Sequence, residues 1–272
     1  MRTWIRLSAA IVLAGILLLG CSRDPNVRKQ KYFESGAKYF QAQKYREAAL
    51  EFQNAIQIDP RFAQAHYQLA QCYLRESLWN GAYQELLRTT DLDPQNTDAL
   101  GDLAKLLLAG HKFQDARDRA AAVLAVKPGS FDIQLVLANA DAAMGNAQLA
   151  TDEVAKAIQL APDRPEGYMV LALLEVKGQK LADAEANFQK AVSVNGSFLP
   201  ARLLLGQFYQ QQKRWPEAEQ QYKAAIAAAS SSPTAYAQLA RDTCKPESIA
   251  KQPSSFRTPF KSTHVLRKRI TN

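Results

Sequence analysis

The residues of this chain that could carry chemistry are few, and their spacing suits no reaction. Histidine occurs at His66, His111 and His264. No pair of them forms the HExxH pattern that places two ligands and a base on one helix face. GxSxG, a Walker phosphate loop and GxGxxG are also missing. The cysteines, Cys21, Cys72 and Cys244, are too widely spaced for a metal knuckle. Cys72 and Cys244 read as small hydrophobes in helices, or as halves of a disulfide where the compartment is oxidising. Most carboxylates fall on solvated helix faces. Asp141 and Glu175 differ: they stand 34 residues apart at a half-buried register. Stacked as like charges, they would raise one pKa; divergence at a packing position is the plainer reading. His66 fits a packing role and His111 a turn. No catalytic residue, metal ligand or cofactor is expected, so the chain reads as a non-enzyme.

Charge points away from nucleic acid. The 272 residues carry a formal net charge of +8. Residues 242–272 hold seven Lys or Arg against two acids, and Arg2 and Arg6 lie near the start. The body between them, with 25 basic and 24 acidic residues, is nearly neutral and gives little counterion-release drive.

Arg2 and Arg6 precede an apolar run from Leu7 to Gly20. Fourteen residues are short for a membrane span, which needs roughly 20, but normal for a secretory h-region. Leu18-Leu19-Gly20-Cys21 then resembles the lipobox of bacterial lipoproteins. The resemblance implies a signal peptide over 1–20, cleavage before Cys21, and lipid on its sulfur and new amino group. Two or more acyl chains would then anchor the protein stably. Residues 21–28 would be a tether. Ser22 implies the periplasmic side of the outer membrane in a Gram-negative host, within the cell envelope. An uncleaved anchor helix is the alternative.

What positions the remaining residues is a repeat. Ala48, Ala82, Ala116, Ala150, Ala184 and Ala218 are separated by 34 residues each. Pro60, Pro94, Pro128 and Pro162 keep the same period. So do Gly36, Ala70, Ala104, Ala138, Ala172 and Gly206, most of them preceded by leucine. A further column reads Tyr45, Trp79, Phe113, Ala147, Leu181 and Trp215. Several columns at one period mean stacked units. They resemble the tetratricopeptide repeat family: a small residue at repeat position 8, Ala at 20, a large apolar residue at 24 and Pro at 32.

The resemblance covers residues 29–232 as six repeats: 29–62, 63–96, 97–130, 131–164, 165–198 and 199–232. It implies an all-α fold, a right-handed superhelical solenoid of antiparallel helix hairpins. Helix A of the second repeat is expected near 64–76 and helix B near 79–91. Small residues at 8 and 20 let the two backbones approach, while residues at 17 and 24 fill the space around them. The prolines end helix B at Asp59, Asp93, Lys127 and Ala161. Departures fall at Gln134 and Arg202, where the family has an aromatic, and at Asp141 and Glu175. Repeats around 131–198 are therefore expected to pack more loosely or to carry a local feature. Residues 233–243 look like a partial seventh repeat acting as a cap. Residues 244–272 read as a disordered basic tail, either touching anionic lipid or an acidic partner, or left from a truncated array.

In this family, ligands lie along the concave face lined by the A helices. The positions facing it are Phe33, Ala37 and Phe40, then Gln64, Tyr67, Gln68, Gln71 and Arg75. Asp98, Asp102, Lys105, Asp132 and Asn139 follow, then Met169, Leu173, Leu203, Gln207 and Gln210. Phe33 and Ala37 stand where a carboxylate clamp for chaperone tails would need Lys and Asn, which disfavours that ligand. The implied function is a membrane-anchored scaffold for protein–protein interaction in the bacterial envelope, in assembly of a pilus or an export complex. The alternative is an accessory subunit presenting an envelope enzyme such as a peptidoglycan hydrolase. Partners would be a protein or peptide in the groove and a membrane through the lipid, with neither nucleic acid nor a small-molecule substrate.

Overall fold

In the computed structural model, which describes residues 24–228, every regular element is an α-helix. The described residues form twelve helices and no strand. They are α1 (Pro25–Gln41), α2 (Tyr45–Ile58), α3 (Ala63–Arg75), α4 (Trp79–Leu92), α5 (Thr97–Ala109), α6 (Phe113–Val126), α7 (Phe131–Ala143), α8 (Ala147–Leu160), α9 (Pro165–Lys177), α10 (Leu181–Val194), α11 (Leu199–Gln211) and α12 (Trp215–Ala228). Consecutive odd and even helices pair as six hairpins. None of the described helices is long and apolar enough to cross a membrane. The leader, Cys21, residues 233–243 and the basic tail, with Cys244 and His264, lie outside the described residues.

Local signals explain the boundaries. Asp24 accepts from the Asn26 amide at 2.8 Å and Pro25 opens α1, a favourable N-terminus. Residues 25–28, read as tether, are thus the first turn of a helix. The residue before each period proline is the C-cap of a B helix, with φ of −135° at Asp59 and Asp93, −122° at Lys127 and −146° at Ala161. Asn195 reaches the same extended backbone, φ −143°, without a following proline. The bend inside each hairpin holds one residue of positive φ: Gln43, Ser77, His111, Gln179 and Lys213 near +59°, and Gly145 at +90°.

The chain divides into two compact units, with the boundary between Pro162 and Asp163. In the first, α2 packs on α3, α4 on α5 and α6 on α7. Its core runs through Ala48, Phe52, Leu69 and Cys72, then Leu86, Leu103 and Leu107, then Val123, Ile133 and Leu137. In the second, α9 and α10 pack on α11, around Phe188, Leu205, Phe208 and Tyr222.

Inside each hairpin the small columns work as expected, and they covary in size except in the fifth, where Ala172 accompanies Phe188. A Cβ on Gly36 would sit 2.7 Å from Phe52 Cε1, and one on Gly206 would overlap the Tyr222 ring. Alanine fills the same column at Ala70, Ala104 and Ala138, where position 24 is Leu86, Ala120 and Val154. One expectation needs correction. Trp79 does not fill the hairpin interior; it is 56% exposed at the start of α4.

Candidate functional site

The polar departures from the repeat pattern are structural, and each has partners in its own unit. His66 on α3 is buried, with Nδ1 2.6 Å from Glu85 Oε2 and Nε2 3.2 Å from the Pro60 carbonyl. Gln134 stands in the same register on α7 and donates to Glu153. Arg202, the equivalent on α11, donates to the Gly196 carbonyl at 2.6 Å and to Gln221 Oε1 at 3.4 Å. All three side-chain pairs are 19 residues apart. A polar side chain at the fourth repeat position is thus met by a polar one on helix B of the same hairpin.

Asp141 is 1% exposed, yet it accepts from Arg117 Nε at 3.0 Å and from Asn146 Nδ2 at 3.1 Å. Glu175 accepts from Asn187 Nδ2 at 2.8 Å. Burial raises the Glu175 carboxyl above its ordinary range; Asn187 opposes this and Asp183 adds to it. Each carboxylate is engaged within its own unit. Nor is the fourth hairpin loose: α7 buries Phe131, Ile133, Gln134, Val136, Leu137, Ala138, Ala140 and Asp141. Helix α9 buries only Pro165, Gly167 and Ala172.

The expected groove residues separate into three kinds. Some serve packing. Phe33 lies with its ring 5.5 Å from Phe52 and 5.1 Å from Phe62, Phe40 lies 5.3 Å from Tyr45, and Leu203 rests on the second core. Others are occupied locally: Asn139 donates to the Leu135 carbonyl of its own helix at 2.8 Å, and Gln210 accepts from the Tyr222 hydroxyl at 3.2 Å. The rest offer surface. Gln64, Arg75 and Leu173 are exposed, while Ala37, Gln68, Met169 and Gln207 are half-buried.

One group converges. Asp102 on α5 accepts from Gln71 Nε2 at 2.7 Å and the Tyr67 hydroxyl at 3.2 Å, both from α3, and from Lys105 Nζ at 3.2 Å. Burial first, then Asp102 and Asp98, raise the Tyr67 phenol above its ordinary range. Tyr67, Asp102 and Lys105 line a cleft of about 300 Å³ with Asp98, Lys127 and Asp132. Lys127 Nζ pairs with Asp98 Oδ1 at 2.8 Å. The carboxylate is satisfied by three donors, so the cluster has the character of a fixed polar surface, not of a nucleophile with its base. It can offer hydrogen bonds to another chain at little entropic cost, because its members already hold one another. Lys127 stands at the C-cap of α6, off the A helices that carry the expected groove positions, so the repeat register gives no sign of it.

A second cleft, of about 620 Å³, lies outside the expected groove and is lined by Trp79, Tyr83, Leu106, Leu107, Gly110 and Lys112. Lys112 Nζ lies 4.7 Å over the Tyr83 ring and donates to its hydroxyl at 3.2 Å. Among the described residues, no group of three or more His, Cys, Asp or Glu side chains could hold a metal ion.

A family model described as TPR repeat matches residues 36–76, and one described as tetratricopeptide repeat matches 102–165 and 169–233. No curated protein matches the chain. Among solved structures, PilW, described as a widely conserved type IV pilus biogenesis factor, superposes with a TM-score of 0.65 at 18% identity, over 78% of this chain and 97% of that one. PilF of Pseudomonas aeruginosa gives 0.59 at 18% identity, over 81% and 100%. MamA of Desulfovibrio magneticus RS-1 gives 0.59 at 16% identity, over 63% and 97%. At these identities the likeness is one of fold.

Proposed function

The chain belongs to the tetratricopeptide repeat family, and from that premise we propose that it is a membrane-anchored scaffold that holds another envelope protein against its A helices. The observation that carries the reading is the cluster of Tyr67, Gln71, Asp102 and Lys105, a preset polar surface over an open cleft. An extended segment of a partner would find donors and acceptors already oriented there. The anchor is inferred from the apolar run and Cys21. In this reading the protein acts by binding, without catalysis, on the periplasmic side of an outer membrane. Its setting is assembly of a pilus or an export complex, a reading supported by the fold shared with a pilus biogenesis factor.

A photoreactive residue placed at Gln71, and separately at Gln207, tests the proposal in intact cells. The expected result is one dominant crosslinked protein from Gln71 that disappears in Asp102→Lys. Gln114, on α6, is the control position. Recovery of the same neighbours from Gln71 and Gln114 would reject the groove. Recovery of a peptidoglycan hydrolase would favour the accessory-subunit reading over an assembly role.

A further inference from the structure

We infer that the outer face of α1 in the first hairpin is a surface whose lysines and arginine rest on anionic lipid headgroups; the inference rests on the anchored reading above. On α1, Arg28, Lys31, Ser35 and Lys38 recur at helical spacing and form one stripe. It lies away from the buried Gly36. Val27, 51% exposed, stands at its head. The stripe borders a cleft of about 550 Å³ lined by Val27, Arg28, Lys31, Tyr32, Ser35 and Glu51.

The register of these residues matters. Lys31, Ser35 and Lys38 occupy the positions that are Ala65, Leu69 and Cys72 in the second hairpin and Ala201, Leu205 and Phe208 in the sixth, all buried. Leu69 and Cys72 pack against Ala48 and Phe52 of the hairpin before them. The apolar stacking columns are therefore replaced, in the first hairpin, by lysine and serine. A terminal repeat needs a polar outer face for solubility, and mixed charge would serve that. Here Arg28, Lys31 and Lys38 run along the face, with Glu51 of α2 beside them and with Asp24, which caps the helix through the Asn26 amide, at its head. Glu34, at the edge of the stripe, accepts from Gln30 at 3.0 Å.

Chain length supplies the second argument. The apolar run ends at Gly20 and the N-cap of α1 is Asp24. The steps from Cys21 to Asp24 span at most ~11 Å when fully extended. A lipid at Cys21 therefore holds the start of α1 within about one Debye length of the headgroups, where Lys and Arg are attracted to anionic lipid.

The test uses the full lipidated chain, with a fluorescent amino acid at Val27, in vesicles of phosphatidylcholine alone or with one-third phosphatidylglycerol. Flotation reads the anchor, and a headgroup quencher reads the docking. The expected result is flotation with both vesicles and quenching roughly threefold stronger on the anionic ones. That difference should vanish at high salt and in the triple variant Arg28→Glu, Lys31→Glu, Lys38→Glu. These residues are solvent-facing; the lipid and salt comparisons on the parent chain stand even if the variant fails to fold. Flotation with equal quenching overturns the docking alone and leaves the stripe to an acidic protein partner. An anionic-lipid effect that survives in a folded triple variant overturns the assignment to this face. Failure to float on either vesicle overturns the anchor, and this inference with it.

Discussion

Arg117 and Asp141, 24 residues apart, meet across the junction of the third and fourth hairpins, and Glu185 and Tyr209 meet with the same separation across that of the fifth and sixth. Each pair has a third member five residues after the second: Asn146 reaches Asp141 at 3.1 Å, and Arg214 reaches Glu185 at 2.6 Å. Between the second and third hairpins the same register holds Tyr83, Leu107 and Lys112, with Lys112 donating to Tyr83. Helix B of one hairpin is thus joined to the A helix and bend of the next by a recurring node whose chemistry changes from junction to junction.

Arg117→Ala removes one partner of a buried carboxylate and leaves Asn146 as the other. We expect a loss of about 2–3 kcal/mol, read from the urea midpoint by circular dichroism. Replacing both ends, Arg117→Leu with Asp141→Leu, should cost less than Arg117→Ala alone, since Leu107 already fills that register in the preceding repeat. A double variant worse than the single one would refute the node.

Gly206→Ala sets a methyl group against the Tyr222 ring, and the overlap should cost about 1–3 kcal/mol. Tyr222→Leu placed in the same chain should recover part of that loss, because Ala70 faces Leu86 without conflict. Thermal melts of the four chains of this cycle measure the coupling.

For Glu175, the sign follows from burial, which favours the protonated form. The native state then binds that proton more tightly than the unfolded chain does. Stability is lost as pH rises from the ordinary carboxylate range through the raised native value. Glu175→Gln lacks this loss, so its advantage should grow from about pH 4 toward neutrality and then level off. Urea midpoints over that interval decide it; an advantage growing toward acid would contradict the assignment.

Cys72 is buried in the first core, and burial pushes its thiol up to about 12. Thiolate is scarce at pH 8, and the sulfur is out of reach. Iodoacetamide should modify the peptide containing Cys72 only under denaturing conditions, as read by mass spectrometry. Rapid labelling of the folded protein would show that this core opens.

Much of the fold was legible because the signals repeat. The prolines placed the ends of the B helices, and the Gly or Ala column announced which residues touch inside a hairpin. The nodes were not legible. Tyr83 with Lys112, Arg117 with Asp141 and Glu185 with Tyr209 share a register but no residue type, so a column-by-column reading sees only exceptions. Asp141 looked like a candidate for unusual chemistry until its partner appeared on the preceding helix. In the groove, sequence position could assign residues to the A helices but could not separate Phe33, which packs, from Tyr67, which bonds across to the next hairpin. Trp79 illustrates the same limit: its column is mostly aromatic, but burial depends on neighbours that the column does not contain.

The bends hold a last implication. Gln43, Ser77, His111, Gln179 and Lys213 accept a left-handed backbone that glycine would adopt more easily. The steric penalty, roughly 1–2 kcal/mol, is largely offset by the order that glycine would lose on folding. Residue identity at these corners is therefore weakly constrained by folding, and polar side chains occupy all five. Reporters or affinity tags attached to the side chains at Gln43, Ser77, Gln179 or Lys213 should be tolerated, since the neighbouring bend residues, not these, make the bonds to adjacent helices.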